Sequence, residues 1–238
     1  MKIVSTGIDR RDFVSKAVAG AAATAMLGLP AHAHEHESSG YRICAFDKFL
    51  HDLTYVELAD TSAEWGFLGI EATVRNGGHV QPERVEEDLP RMVEALKKRD
   101  LEVTTMATDV LTPDQPLSKK VLQTAVDLGI KSYRMGFYRY DLSKPILKQI
   151  EGIRPGLNDL AALNKELGIR ALYQNHSDAK FVGATIWDLY LLLKDVPTDQ
   201  ISCAFDIRHD TIEAGLSWPV FYDVIKPHIG ALFVKDFQ

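Results

Sequence analysis

The sequence predicts a parallel α/β protein in which strand and helix alternate toward a (β/α) barrel. Three observations carry this reading. Short apolar runs ending in polar or glycine residues alternate with longer segments of helical periodicity. The apolar runs recur about every 30 residues, the size of one strand–helix unit. No Gly-x-Gly-x-x-Gly follows the first run, so nothing points to a dinucleotide-binding sheet.

The chain opens on a segment to be set aside before the fold is considered. It starts polar, reaches Arg10-Arg11 followed by Asp12, Phe13 and Val14, runs apolar from Ala17 to Leu29, and ends on Pro30-Ala31-His32-Ala33. Charged, apolar and small-residue regions in that order are the grammar of a secretory signal, and the arginine pair is close to the twin-arginine pattern. Residues 1–33 are therefore expected to send the protein out of the cytoplasm, to the periplasm or beyond. The apolar run is too short to span ~30 Å of hydrocarbon, so no stable membrane insertion is expected once the signal is cleaved. Residues 34–40, which include His34-Glu35-His36-Glu37, are expected to form a flexible polar leader.

The barrel domain is expected over 41–238, with strands over 41–46, 67–73, 101–107, 132–137, 169–175, 201–206 and 231–235. Helices are expected over 82–98, 117–128, 145–167 and 185–194. Pro82-Glu83 suits a helix start, where the missing proline N–H costs nothing. Lys97-Lys98-Arg99 suits a helix end, where the dipole favours cations. Gly129 and Gly168 stop their helices just before the next strand. Strand and helix in alternation mean parallel strands joined by right-handed crossovers. Seven strands are one short of the eight that close such a barrel; a helix, an eighth strand and a closing helix are expected beyond Gln238. Trp65, Trp187 and Trp218 are expected in core packing, and Cys44 and Cys203 as buried thiols.

At 46% hydrophobic and 25% charged residues the chain is an ordinary globular protein, and its formal charge of -6 argues against nucleic acid as a partner. Barrels of this kind do chemistry at the C-terminal ends of their strands. There the sequence gathers Glu71, Arg134, Gln174, His176, Asp206, His209, Lys235 and Asp236. Alternate residues of a strand share a face, which puts Gln174 with His176, and Asp206 with the small Ser202 and Ala204. His209 follows Asp206 by one short turn. Glu71 is expected either to touch substrate or to pair with Arg75 or Arg134.

Three stretches carry a resemblance: Ala171-Leu172-Tyr173-Gln174-Asn175-His176, Ala204-Phe205-Asp206-Ile207-Arg208-His209, and Ile229-Gly230-Ala231-Leu232-Phe233-Val234-Lys235-Asp236. In order and strand placement they resemble the xylose-isomerase-like TIM barrels, a superfamily of sugar isomerases, epimerases, dehydratases and endonuclease IV-like enzymes. The resemblance implies a TIM barrel and a divalent metal such as Mn, Mg, Zn or Co. The family holds it with a Glu ending the fifth strand, an Asp-x-x-His ending the sixth, a His on the seventh and a Glu on the eighth. Asp206 and His209 match that pattern. Gln174 stands where the first Glu is expected, Phe233 stands where the His is expected, and the last Glu would lie beyond Gln238.

The function expected is an isomerase or epimerase acting on a keto or aldo sugar by metal-assisted proton transfer, compatible with a homo-oligomer. Asp206, His209, His176 and Gln174 are the candidate metal ligands. Lys235 and His176 are the candidate catalytic groups, and Glu71, Arg134 and His209 the candidate substrate contacts. A lyase or hydratase on an oxidised sugar shares the same proton abstraction. Gln174 and Phe233 also allow a non-catalytic sugar-binding barrel, since a Gln carbonyl ligates but cannot act as a base and Phe does neither.

Overall fold

The computed structural model describes residues 43–235. The expected export signal, the polar leader and Asp236 lie outside the described residues. Seven strands form one parallel sheet in sequential order: β1 (Cys44–Phe46), β2 (Gly69–Val74), β3 (Glu102–Thr108), β4 (Ser132–Arg134), β5 (Arg170–Gln174), β6 (Ile201–Asp206) and β7 (Ile229–Phe233). The helices are α1 (Tyr55–Glu64), α2 (Val85–Lys97), α3 (Ser118–Asp127), α4 (Ile146–Leu167), α5 (Ile186–Leu193), α6 (Ile207–Ala214) and α7 (Trp218–Ile225). No helix among the described residues is long and apolar enough to cross a membrane.

The sheet is curled, as a barrel requires. Phe46 at the end of β1 and Phe233 at the end of β7 both lie against the guanidinium of Arg134, 4.8 Å and 5.5 Å from its carbon to the ring centres. In a flat sheet, β1 and β7 would stand about 29 Å apart.

Local chemistry explains the helices. Thr54 and Glu57 form a reciprocal capping box at the start of α1. In α2 the buried Val85, Leu89, Met92 and Leu96 fall four, three and four residues apart, one apolar stripe turned to the sheet. Each such side chain, fully buried, contributes about 1.5–3 kcal/mol. Gly168 ends α4 with φ 67°, a left-handed conformation costly for any residue with a side chain.

Several sequence expectations need correction. α1, α6 and α7 were not among the expected helices. β4 stops at Arg134 rather than at residue 137, because Met135 and Gly136 turn their N–H groups to the carbonyls of Leu172 and Val110. β7 runs over Ile229–Phe233, so Lys235 lies two residues past the strand. The three tryptophans are not core residues: Trp65, just past α1, and Trp187 and Trp218, in the first turns of α5 and α7, are each about half exposed. Both thiols are free; Cys203 is buried and Cys44 partly so.

Candidate active site

The strand registers bring the polar ends level. Glu71 pairs across from Phe46, Arg134 from Leu172, Gln174 from Ala204, and Asp206 from Phe233. From these ends a chain of hydrogen bonds crosses the barrel. Arg134 Nε donates to Glu71 Oε1 at 2.8 Å, and Arg134 Nη1 donates to Gln174 Oε1. Gln174 Nε2 donates to Asp206 Oδ2 at 2.6 Å, and Lys235 Nζ lies 2.6 Å from that same oxygen. Lys235 Nζ also reaches His209 Nε2, at 3.0 Å. Arginine is a donor only, so it fixes the amide of Gln174 with its oxygen toward Arg134 and its nitrogen toward Asp206.

Each member is held from behind. Asp206 is fully buried, caps α6 by accepting the His209 N–H at Oδ1 (3.2 Å), and exchanges two backbone hydrogen bonds with the side chain of Asn175. Asn175 thereby locks β5 to β6 at the level of the site. Arg134 is buried between the two phenylalanine rings, and its Nη2 has no hydrogen-bond partner. Burial raises the Glu71 carboxyl above its ordinary range, with the Arg134 charge opposing.

His176 and His209 meet at the mouth with ring centres 3.8 Å apart and planes tilted by 35°. His176 Nδ1 lies 3.0 Å from the Ser177 carbonyl, which can only accept, so Nδ1 carries the proton and a neutral ring has its lone pair on Nε2. His209 Nδ1 meets the Ser177 hydroxyl at 3.1 Å. Burial lowers both imidazoles, and His209 is pushed down to about 4. Both rings are therefore neutral at pH 7.

All seven candidate side chains thus gather at one end of the sheet. Of the two arginines weighed as partners for Glu71, Arg134 is the one it pairs with. Sequence reasoning missed a second cluster over β1 and β2. Asp47, directly after β1, is fully buried and accepts the Thr73 N–H at 2.9 Å. His51 Nε2 stands 3.7 Å and His79 Nδ1 3.6 Å from its two oxygens. Thr73 lies two residues past Glu71, on the same strand face; its hydroxyl meets His51 Nε2 at 2.7 Å. The available signal was position: each of the three follows the end of a strand, where chemistry gathers. An open groove of about 650 Å³ lined by residues such as Glu86, Lys120 and Glu166 lies on the helical layer and holds none of the candidate residues.

The divalent ion implied by the resemblance was tested against the donor set, and the two do not fit. The Gln174 carbonyl is spent on Arg134, and Asp206 Oδ2 already receives Gln174 and Lys235. Among the described residues, no three His, Cys, Asp or Glu side chains are grouped so that they could hold a metal ion.

Comparison with known proteins gives a consistent picture. A family model described as xylose isomerase-like TIM barrel matches residues 59–238. Among solved structures, a 3-keto-D-glucoside 4-epimerase from E. coli superposes with a TM-score of 0.63 at 14% identity, covering 82% of this chain and 79% of its own. A D-psicose 3-epimerase superposes with 0.62 at 15% identity, covering 82% and 73%. A sugar phosphate isomerase/epimerase from Parabacteroides distasonis superposes with 0.57 at 12% identity, covering 85% and 88%. At these identities the likeness is one of fold. None of the curated proteins matches the chain.

Proposed function

Because this chain belongs to the xylose isomerase-like TIM barrel family, we propose that it moves a proton at the carbon beside a carbonyl of a small keto or aldo sugar, as an isomerase or epimerase. One observation carries the reading: a neutral His176 with a free Nε2 stands at the mouth of a barrel whose strand ends are joined by the Glu71–Arg134–Gln174–Asp206–Lys235 chain.

In this reading His176 Nε2 takes the proton from the carbon. The electron pair left behind moves onto the carbonyl oxygen as an enolate. The Lys235 ammonium donates to that oxygen and stabilises its charge. Glu71 and the two phenylalanine rings hold the Arg134 guanidinium in place. Return of the proton from His176 to the neighbouring carbon, with the hydroxyl proton of the first carbon passed through solvent to the former carbonyl oxygen, completes an isomerisation. Delivery of a proton to the opposite face by Lys235 completes an epimerisation, after which His176 releases its proton to solvent and Lys235 takes one up. His209 contacts the substrate beside His176. No step is routed through a divalent ion, since the donor set does not fit one.

The experiment is deuterium exchange. A panel of keto and aldo sugars is incubated with the protein in D2O and followed by proton NMR. The expected result is deuterium at the carbon beside the carbonyl, lost in His176→Asn. Binding of a sugar with no exchange in any member of the panel would favour the non-catalytic reading that Gln174 and Phe233 allow. Exchange accompanied by loss of water would favour the lyase.

A further inference from the structure

We infer that the positive charge of this site is built into the chain: the Lys235 ammonium occupies the place between Asp206 and His209 where a divalent ion would have to sit. The inference concerns the electrostatics of the cluster and stands apart from the reaction proposed above.

Three observations carry it. Asp206 Oδ2 and His209 Nε2 lie 3.7 Å apart, and one nitrogen, Lys235 Nζ, stands within 2.6 Å of the first and 3.0 Å of the second. Two ligand atoms facing each other across a short gap, with a cation on both, is the arrangement a metal would make; here an ammonium makes it. Second, the residue at the end of β5 is an amide. Gln174 gives its oxygen to Arg134 and presents N–H, a donor, toward Asp206. A carboxylate at that position would bring a further negative charge and ligand atoms to the same spot; the amide brings neither. Third, the charges balance. Glu71 and Asp206 supply two negative charges, Arg134 and Lys235 two positive, each pair in contact. A divalent ion added to this set would leave an uncompensated double charge in a buried cluster, which costs several kcal/mol.

The consequence is that a ligand oxygen at this site is met by an N–H donor, from Lys235, and not by a coordination bond. It also means that the Lys235 ammonium keeps a divalent ion off Asp206 and His209.

The test removes the plug. Mn2+ binding is measured by electron paramagnetic resonance on the purified protein, on Lys235→Met, on Asp206→Asn, and on Lys235→Met/Asp206→Asn, with folding checked by circular dichroism. The double variant accounts for any Mn2+ held elsewhere, for instance by His34 and His36. The expected result is no stoichiometric Mn2+ in the parent, affinity about tenfold or more tighter in Lys235→Met because a like charge has been removed at contact distance, and loss of that gain in the double variant. Stoichiometric Mn2+ in the parent that disappears with Asp206→Asn alone would overturn the inference. So would a folded Lys235→Met with no gain, because the ammonium would then not be standing in a cation site.

Discussion

Phe46 and Phe233, from the two edge strands of the described sheet, lie against one guanidinium, that of Arg134 on the middle strand. Flanked by both rings, Arg134 has only a few directions left for its N–H groups, and two of them are taken by Glu71 and Gln174. Replacing it strands a buried carboxylate. Arg134→Met is expected to lower stability by about 3–5 kcal/mol, the usual result of breaking a buried ion pair from one side. Arg134→Met combined with Glu71→Leu is expected to cost less than the sum of the single changes, because no unpaired charge is left behind. Urea unfolding of the four proteins measures this.

The two adjacent imidazoles predict a pH signature. His209 is held down to about 4, first by burial and further by His176 and Lys235, with Asp206 opposing. A histidine lowered in the folded state is protonated first in the unfolded chain. Its contribution to stability is therefore full above about pH 6.5, is lost as pH falls below that value, and stops changing near 4. His209→Gln removes this dependence, so the variant should gain on the parent as pH is lowered through that window. In NMR titrations the His209 ring of His176→Ala should titrate higher than in the parent, and that of Asp206→Asn lower.

Asp47 tests the cluster over β1 and β2. Asp47→Ala leaves the Thr73 N–H buried without an acceptor and should cost about 1–3 kcal/mol in urea unfolding. Asp47→Asn, which keeps an acceptor oxygen, should cost less.

Gly230 permits the close approach of β7 to β6. A Cβ there would stand 2.7 Å from Ser202 Cβ and 3.1 Å from Leu172 Cδ2. Gly230→Ala should destabilise by about 1–3 kcal/mol. Adding Ser202→Gly should recover part of the loss, so that the two changes together cost less than their sum.

Export is tested by fusing residues 1–37 to a reporter. The fusion should cross the membrane, and Arg10→Lys with Arg11→Lys should stop it. Unchanged export in the double-lysine fusion would exclude the twin-arginine route.

The order of parallel strands and the layer of helices around them were legible in the sequence, because both are written in the period of apolar residues. Leu89, Met92 and Leu96 declare a helix face wherever the helix is placed, and Gly168 declares its end. The strand ends were legible as well: Gln174 and Asp206 close apolar runs, and in a parallel sheet such residues must emerge on one side. Helices α6 and α7 were harder to read, since each is only eight residues long and they stand in the connection between β6 and β7, where local signals fit a loop as well. What each polar residue does was decided only in three dimensions. Glu71 and Arg134 are 63 residues apart, and nothing local says that one neutralises the other. Gln174 read as a weakened metal ligand; its amide turns out to be oriented by Arg134, which has no acceptor to offer and leaves the N–H for Asp206. Lys235 read as a candidate catalytic group at the end of the seventh strand. The pairing of β7 with β6, which sets Phe233 across from Asp206, brings it onto Asp206 and His209, and a charge-bearing side chain near a buried carboxylate gains most by pairing with it.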